Sequence, residues 1–560
     1  MNQFKGILVK HANLILIYIL LGISISFLNS YSVTLFRSVL DAFAGGSLEL
    51  TAILRYGAVL LLACGLGYAD NGPDSRLERE IFLSLKLQAL EKAGRIDYLA
   101  CQSLGTGKLV QQIETGSAAG QNMLYGFWLR LVRELLPSVV FSVAFLGAIS
   151  RPVMGAVLAG YVLVFLLSNV LLRALYRVKA RVLDHEEQMN RLLVRGLMEL
   201  AVFRVNRRFR GELQKAARAK DVIVDSKVTI KLIHEAFFAL FEALVCLVKV
   251  GLILYAWHTG ALTVGAVIAL ISLLDRAYTP IAVFNVLFIQ YKLDRVAFQR
   301  YADFLAAADD PALEQGKPLA NARGRIDVQG LSLRLKGRDV LRDVDIEIPW
   351  GEKVMLAGES GAGKSTLVKL LLGLLKPTEG RILIGGEDLS AVRLNSYYRH
   401  VAYVSQDAPV FDGSLRENLT FGAPVGDRLL LQALSAVRLA PLLNKLEHGL
   451  DTQIGERGVL LSGGERQRLA LARLWFRQAD LVILDEAFSA MDGLTEAQVL
   501  RAVMERLRDK TVLVVAHRLR AAWDFDRIVV FRDGGIVGNG PLHALLRENA
   551  YFKSLYELAY

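Results

Sequence analysis

Between residues 358 and 366 the chain reads GESGAGKST, directly after EKVMLAG, a run with the apolar character of a buried strand. Gly358, Gly363, Lys364 and Ser365 fit the spacing G-x-x-x-x-G-K-[ST], and the LVKLLLGLL that follows has a helical pattern. Strand, glycine loop and helix in that order make a cradle for phosphate. The glycines let successive backbone N–H groups from Gly358 through Glu359, Ser360, Gly361, Ala362 and Gly363 curl around an anion, and the helix N-terminus adds its positive dipole end. Lys364 can then reach the β- and γ-phosphates of a nucleotide, Ser365 offers a hydroxyl to Mg²⁺, and Thr366 belongs to the same loop-to-helix set. A second run, LVILDEA, reads as a buried strand ending in two carboxylates. Asp485 would hold the metal through water, and Glu486 would polarise an attacking water. An acidic strand end is a weak pattern alone and a specific one beside the cradle.

The elements that must position these residues fall into two halves with different solvents. Of the 560 residues 53% are hydrophobic, a fraction that points to a membrane. Apolar runs long enough to cross a bilayer lie near 12–36, 52–70, 126–149, 153–176, 236–257 and 263–290, which gives six spans. The links after the second and fourth runs are long and basic, with Arg204, Arg207, Arg208 and Arg210 in one of them. The other links are short and carry almost only Arg151, so the long links and both termini are expected in the cytoplasm. No small-residue cleavage site follows the first run, which therefore reads as a retained helix. The net charge of +11 suits an anionic lipid surface. No helix-turn-helix, zinc-ligand or RNA-recognition pattern accompanies it, so nucleic acid is not an expected partner. Cys64, Cys101 and Cys246 are too dispersed for a metal site or a disulfide framework. The fold class is thus multidomain. An all-α, six-helix transmembrane domain spans 1–304, a linker rich in Ala, Pro, Gly and charge spans 305–323, and an α/β P-loop domain spans 324–560.

Gln406 in YVSQD, LSGGERQ from Leu461, SAMD at 489–492 and His517 in VVAHR follow in the order of an ATP-binding cassette. With the six spans before them, the whole chain resembles a half-transporter of the ATP-binding cassette (ABC) exporter family, most densely over 325–545. The resemblance implies ATP with Mg²⁺ as the ligands. It makes Ser365, Gln406 and Asp485 the metal set, and Glu486, His517 and Gln406 the catalytic set. In this family the LSGGERQ stretch closes over nucleotide held by a partner domain. Ser462, Gly463 and Gly464 would therefore complete a site on a second chain, with Asp492 at the seam between them. A head-to-tail homodimer follows, with an unequal pair as the alternative. The family also bends the long links into coupling helices, here IDYLACQSLGTGKLV and MELAVFRVNRRF, and the GERG at 455–458 resembles its inter-domain contact loop. The implied activity is ATP-driven, alternating-access export across a cytoplasmic, or inner, bacterial membrane. Its cargo is an amphipathic or peptidic substrate, with a lipid or lipid-linked glycan flippase as the alternative and a nucleotide-gated channel behind it. One position departs from the pattern. Leu335 stands where the family carries the aromatic ring that stacks on adenine, leaving Arg334 or Arg338 as substitutes or as solvated surface residues.

Ionisable residues inside the spans are costly and mark a cavity or a pair of helices. Glu235, Glu242 and Lys249 recur every seventh residue and share a helix face, while Asp275, Arg276, Arg130, Arg133 and Glu134 lie in other spans. Mixed signs favour an amphipathic cargo over a hydrocarbon one. Pro73, in ADNGPD, is expected to break or kink the second helix at the membrane boundary.

Overall fold

The computed structural model describes residues 2–335, 337–455, 461–516 and 519–558, with only the backbone for 2, 106, 519–521 and part of 165–187. The chain divides into two compact units. The first comprises Met1–Gly94 with Leu104–Ala307, the second Arg95–Ser103 with Ala308–Tyr560.

Long helices make up the first unit. Five among the described residues are long and apolar enough to cross a membrane: Ala12–Ala44, Leu50–Ala93, Gly107–Ile149, Phe209–Thr259 and Val264–Ala306. A sixth helix, Arg151–Met198, has a described apolar stretch over Arg151–Val164. At about 1.5 Å per residue a helix of 43 residues is roughly 65 Å long, about twice the hydrocarbon thickness, so these helices run on well past the apolar layer. Leu61, Leu62, Leu247 and Leu254 are exposed on them, as lipid-facing side chains would be. The second helix does not break at Pro73. It continues as one 44-residue element, because Asp70 and Asp74 on either side of the proline are tied to a neighbouring helix. That neighbour is itself unusual: Asn122–Leu129 and Leu131–Leu135 are π-helical, a widening found mostly as short bulges near functional sites.

The second unit is built on two sheets. One is four-stranded, in the order β2 (Arg338–Ile348), β1 (Ile326–Leu335), β4 (Glu379–Ile384), β5 (Glu387–Asp388). The other is six-stranded, in the order β10 (Gly535–Gly540), β9 (Arg527–Arg532), β3 (Lys353–Gly358), β8 (Thr511–Val515), β7 (Leu481–Asp485), β6 (Val401–Val404). Neighbours from β9 to β6 pair in parallel, and β10 closes the edge antiparallel. β7 and β8 are buried along their whole length, as parallel strands covered on both faces must be. Alternate side chains feed two cores. Val354, Leu356, Ile483, Leu513 and Val515 face the helix Lys364–Leu371 and the smaller sheet. Met355, Ala357, Leu484, Val512 and Val514 face the helical part that holds Gly463–Ala472 and Gly493–Arg506. The segment 95–103 is folded into this unit: Asp310 N donates to Arg95 O at 2.8 Å, and Tyr98 packs on the core of the smaller sheet.

Candidate functional site

Three parallel strands deliver the candidate residues at their C-terminal ends, the edge where open α/β sheets bind ligands. β3 runs into the glycine loop, β7 ends at Asp485, and the loop after β6 carries Gln406. The loop is held tightly from behind. A Cβ on Gly358 (φ +142°) would lie 2.3 Å from Phe531 O, and one on Gly363 (φ +106°) 2.6 Å from Leu341, so only glycine fits at either end. Lys364 is buried, and its Nζ donates to Gly358 O and Glu359 O, each at 2.7 Å. Burial depresses its pKa, and the nearby carboxylates of Glu486 and Asp485 oppose the shift. Ser365 Oγ donates to Asp485 Oδ1 at 3.2 Å. Burial pushes the Asp485 carboxyl up, the Ser365 hydrogen bond lowers it, and the charge of Glu486 raises it further. These hydroxyl and carboxylate oxygens are the hard donor set that suits Mg²⁺.

Gln406 Nε2 donates to Glu486 Oε2 at 2.7 Å, so the glutamine expected in the metal and catalytic sets is joined to the carboxylate expected to polarise water. Glu486 takes a left-handed backbone, φ +51°, a conformation costing a non-glycine residue on the order of 1–3 kcal/mol and concentrated at functional sites. No local signal in LVILDEA announces it.

The LSGGERQ stretch begins a helix. Ser462 caps Gly463–Ala472 in a reciprocal box: its Oγ accepts from Glu465 N at 3.3 Å, and Glu465 Oε2 accepts from Ser462 N at 2.8 Å. Gly464 lies so near Ala490 that an added Cβ would be 2.9 Å from its carbonyl oxygen. The sequence reading assigned no role to Gln467, which proves to be the tie between this helix and β7. Its Nε2 donates to Glu486 O at 3.2 Å and to Ser489 Oγ at 2.9 Å, and its Oε1 accepts from Ala490 N at 2.8 Å. The available signal was an uncharged polar side chain at an inward-facing helix position, five residues after the cap. Asp492 caps the next helix by accepting from Thr495 N at 3.0 Å, and that backbone bond holds its carboxyl low. Among the described residues no hydrogen bond or ion pair joins Ser462, Gly463 or Gly464 to Gly358–Thr366. His517 and residues 456–458 of the GERG segment lie outside the described residues. Leu335 ends β1 and packs against the core, while Arg334 is held by Asp339 at 2.6 Å. Arg334 is therefore a hairpin ion pair, and Leu335 presents no ring.

Lys249, Arg130 and Arg133 each have an acidic partner in the helical unit. Lys249 Nζ lies 2.6 Å from Asp275 Oδ1 on the next helix, so its partner is Asp275 and not Glu242. Arg130 pairs with Glu134 at 2.9 Å along one helix. Arg133 is the most enclosed. It binds Asp70, lies 3.1 Å from Asp74 and sits 3.9 Å from the Tyr18 ring, in a slot kept open by Gly22. Arg133→Ala would strand the enclosed Asp70 carboxylate and is expected to destabilise the helical unit by about 3–5 kcal/mol. Thermal unfolding in detergent, read against Arg130→Ala as the exposed control, checks this.

The ABC transporter family model matches residues 341–489. The chain is 35% identical over 309 residues to an ATP-dependent lipid A-core flippase of Bordetella avium, a match covering 54% of this chain and 52% of that one. It is 27% identical over 543 residues to the mitochondrial iron-sulfur clusters transporter ATM1 of Candida glabrata, covering 93% and 72%. The chain thus spans about half the length of the bacterial flippase. In fold it superposes on the ATP-bound structure of a bacterial Atm1-family ABC exporter with TM-score 0.82 and 22% identity, over 99% of both chains. It is a multi-pass membrane protein, its apolar helices followed by an α/β nucleotide-binding part. The chain belongs to the ABC transporter family, as a half-transporter with membrane and nucleotide-binding parts fused in one polypeptide.

Proposed function

We propose that two copies of this chain bind and hydrolyse ATP between them and use the closure to move an amphipathic substrate out across a bacterial inner membrane. The observation that carries the reading is the junction of Ser365 with Asp485 and of Gln406 with Glu486, while among the described residues Ser462 makes no hydrogen bond to the phosphate loop of its own chain. Lys364 would leave its two carbonyl partners for the β- and γ-phosphates. Ser365 and Asp485 would hold Mg²⁺, which neutralises phosphate charge when bound. Glu486 would take the proton of a water placed by Gln406, and Ser462, Gly463 and Gly464 of a second copy would close over the γ-phosphate. His517 and Asp492 complete the set by resemblance alone.

In the second unit, a groove of about 580 Å³ is lined by Tyr403, Phe411, Phe421 and Arg473. Arg473 spans it, donating to Asn418 O at 2.9 Å and Pro409 O at 2.8 Å beneath the two phenylalanine rings. It follows the Gly463–Ala472 helix directly, so a coupling segment seated in this groove would bear on the helix that Ser462 begins. The flippase relative favours a lipid-like amphiphile within the substrate class.

The test is transport. Protein reconstituted into vesicles with fluorescent lipid analogues is expected to build an ATP-dependent asymmetry that Lys364→Ala abolishes. Movement that merely equilibrates, with or without ATP, would instead identify a channel.

A further inference from the structure

The phosphate loop is gripped from outside as well as by Lys364. β9 ends against it, with Phe531 backing Gly358, and the next residue, Arg532, lies 4.8 Å from the ring of Tyr551. Tyr551 is the second residue of the C-terminal helix Ala550–Leu558, whose start is fixed. Asn549 Oδ1 accepts from Phe552 N at 2.8 Å, and its Nδ2 donates to Val537 O on β10 at 2.7 Å. The Tyr551 hydroxyl is shut off from water and set against both the backbone and the side chain of Glu359, without a closed hydrogen bond of good geometry. A buried hydroxyl left in this way costs stability, and another state of the protein that satisfies it recovers that cost.

That other state is supplied by the chemistry of the loop. Without nucleotide, Lys364 ties the loop internally through Gly358 O and Glu359 O. Once Lys364 turns to phosphate, both of its ties are lost, and Tyr551 remains beside the Ala362 N–H bond to Glu359 O as a contact on the second loop residue. We infer that Tyr551 is a positioning residue for the phosphate loop, its hydroxyl donating to the Glu359 carboxylate when nucleotide draws Lys364 away, so that the C-terminal helix sets nucleotide affinity. This rests on the nucleotide reading of the cradle proposed above.

Tyr551→Phe removes the hydroxyl and keeps the ring on Arg532. In the full-length chain it is expected to raise the KM for MgATP about threefold to tenfold, the weight of one hydrogen bond, with kcat within about twofold. The nucleotide-free Tm should hold or rise, because the hydroxyl is unsatisfied in that state, whereas loss of a merely structural hydrogen bond would lower it. In a Glu359→Ala background the same change should add nothing. An unchanged KM, or an equal rise in both backgrounds, overturns the inference while leaving the site intact. If Lys364→Ala, measured alongside, binds MgATP like the unaltered chain, the nucleotide reading falls and this inference falls with it.

Discussion

Glu486→Gln is expected to lower ATP turnover by at least about 100-fold while MgATP affinity stays within about threefold. General-base removal has effects of roughly 10²–10⁴. The substitution is well matched to the geometry. The bond that Gln406 Nε2 makes to Glu486 at 2.7 Å ends on a side-chain oxygen, which an amide also provides, so the loop after β6 keeps its anchor. The left-handed backbone at 486 is unaffected by the change of one oxygen for nitrogen. Lys364, Ser365 and Asp485 are untouched, so the nucleotide should still bind and the two copies should still close over it. Single-turnover phosphate release and equilibrium nucleotide binding, measured on the same preparation, separate the two effects. Turnover near that of the unaltered chain would remove Glu486 from the role and leave the strained backbone without a catalytic reason.

Much of this was legible because the relevant signals are local. A strand, a glycine loop and a helix had to occur consecutively around 353–371 for the cradle to exist, and the apolar runs of β7 and β8 could satisfy their backbones only inside a covered sheet. The second glycine-rich stretch was equally readable as a helix entry, since Ser462 and Glu465 stand at the spacing of a capping box.

What sequence could not give depends on contacts between distant residues. Glu242 and Lys249 share a face, but seven residues are about 10.5 Å along a helix, too far for an ion pair, and Asp275 on the following helix is the partner. Pro73 reads as a break because proline lacks an N–H. The helix persists because Tyr125 Oη donates to Asp74 Oδ1 at 2.5 Å and Arg133 binds both Asp70 and Asp74. The π-helical widening that carries Tyr125 and Arg133 leaves no periodic trace, since its side chains still read as an apolar run. Gln467 and Tyr551 were missed for a related reason. One lies inside a motif quoted for its serine and glycines, the other in a terminal helix with no motif at all.

The second large effect concerns the claim on which everything else depends, that each ATP site is made by two chains. Lys364→Ala removes the buried cation of the cradle, and a charge partner lost from an enclosed site costs about 2–5 kcal/mol, so nucleotide affinity should fall by roughly two to three orders of magnitude. Ser462→Arg leaves that cradle intact. It gives up one helix cap, about 1 kcal/mol, and puts a bulky cation where the second copy's γ-phosphate would sit. Each variant alone has no complete site. In a mixed pair, the Lys364 of one chain meets the Ser462 of the other, and one of two sites is restored.

Co-expression of the two variants under different tags, followed by ATPase assay of the co-purified pairs, is the direct measurement. Equal amounts pairing at random give half mixed pairs with one working site of two. The total preparation should therefore reach roughly a quarter of the unaltered activity, and pairs selected through both tags roughly half. Activity in the selected pairs no higher than in either variant alone would contradict the account, because it would mean that the cradle and the LSGGERQ helix do not meet across two copies of this chain.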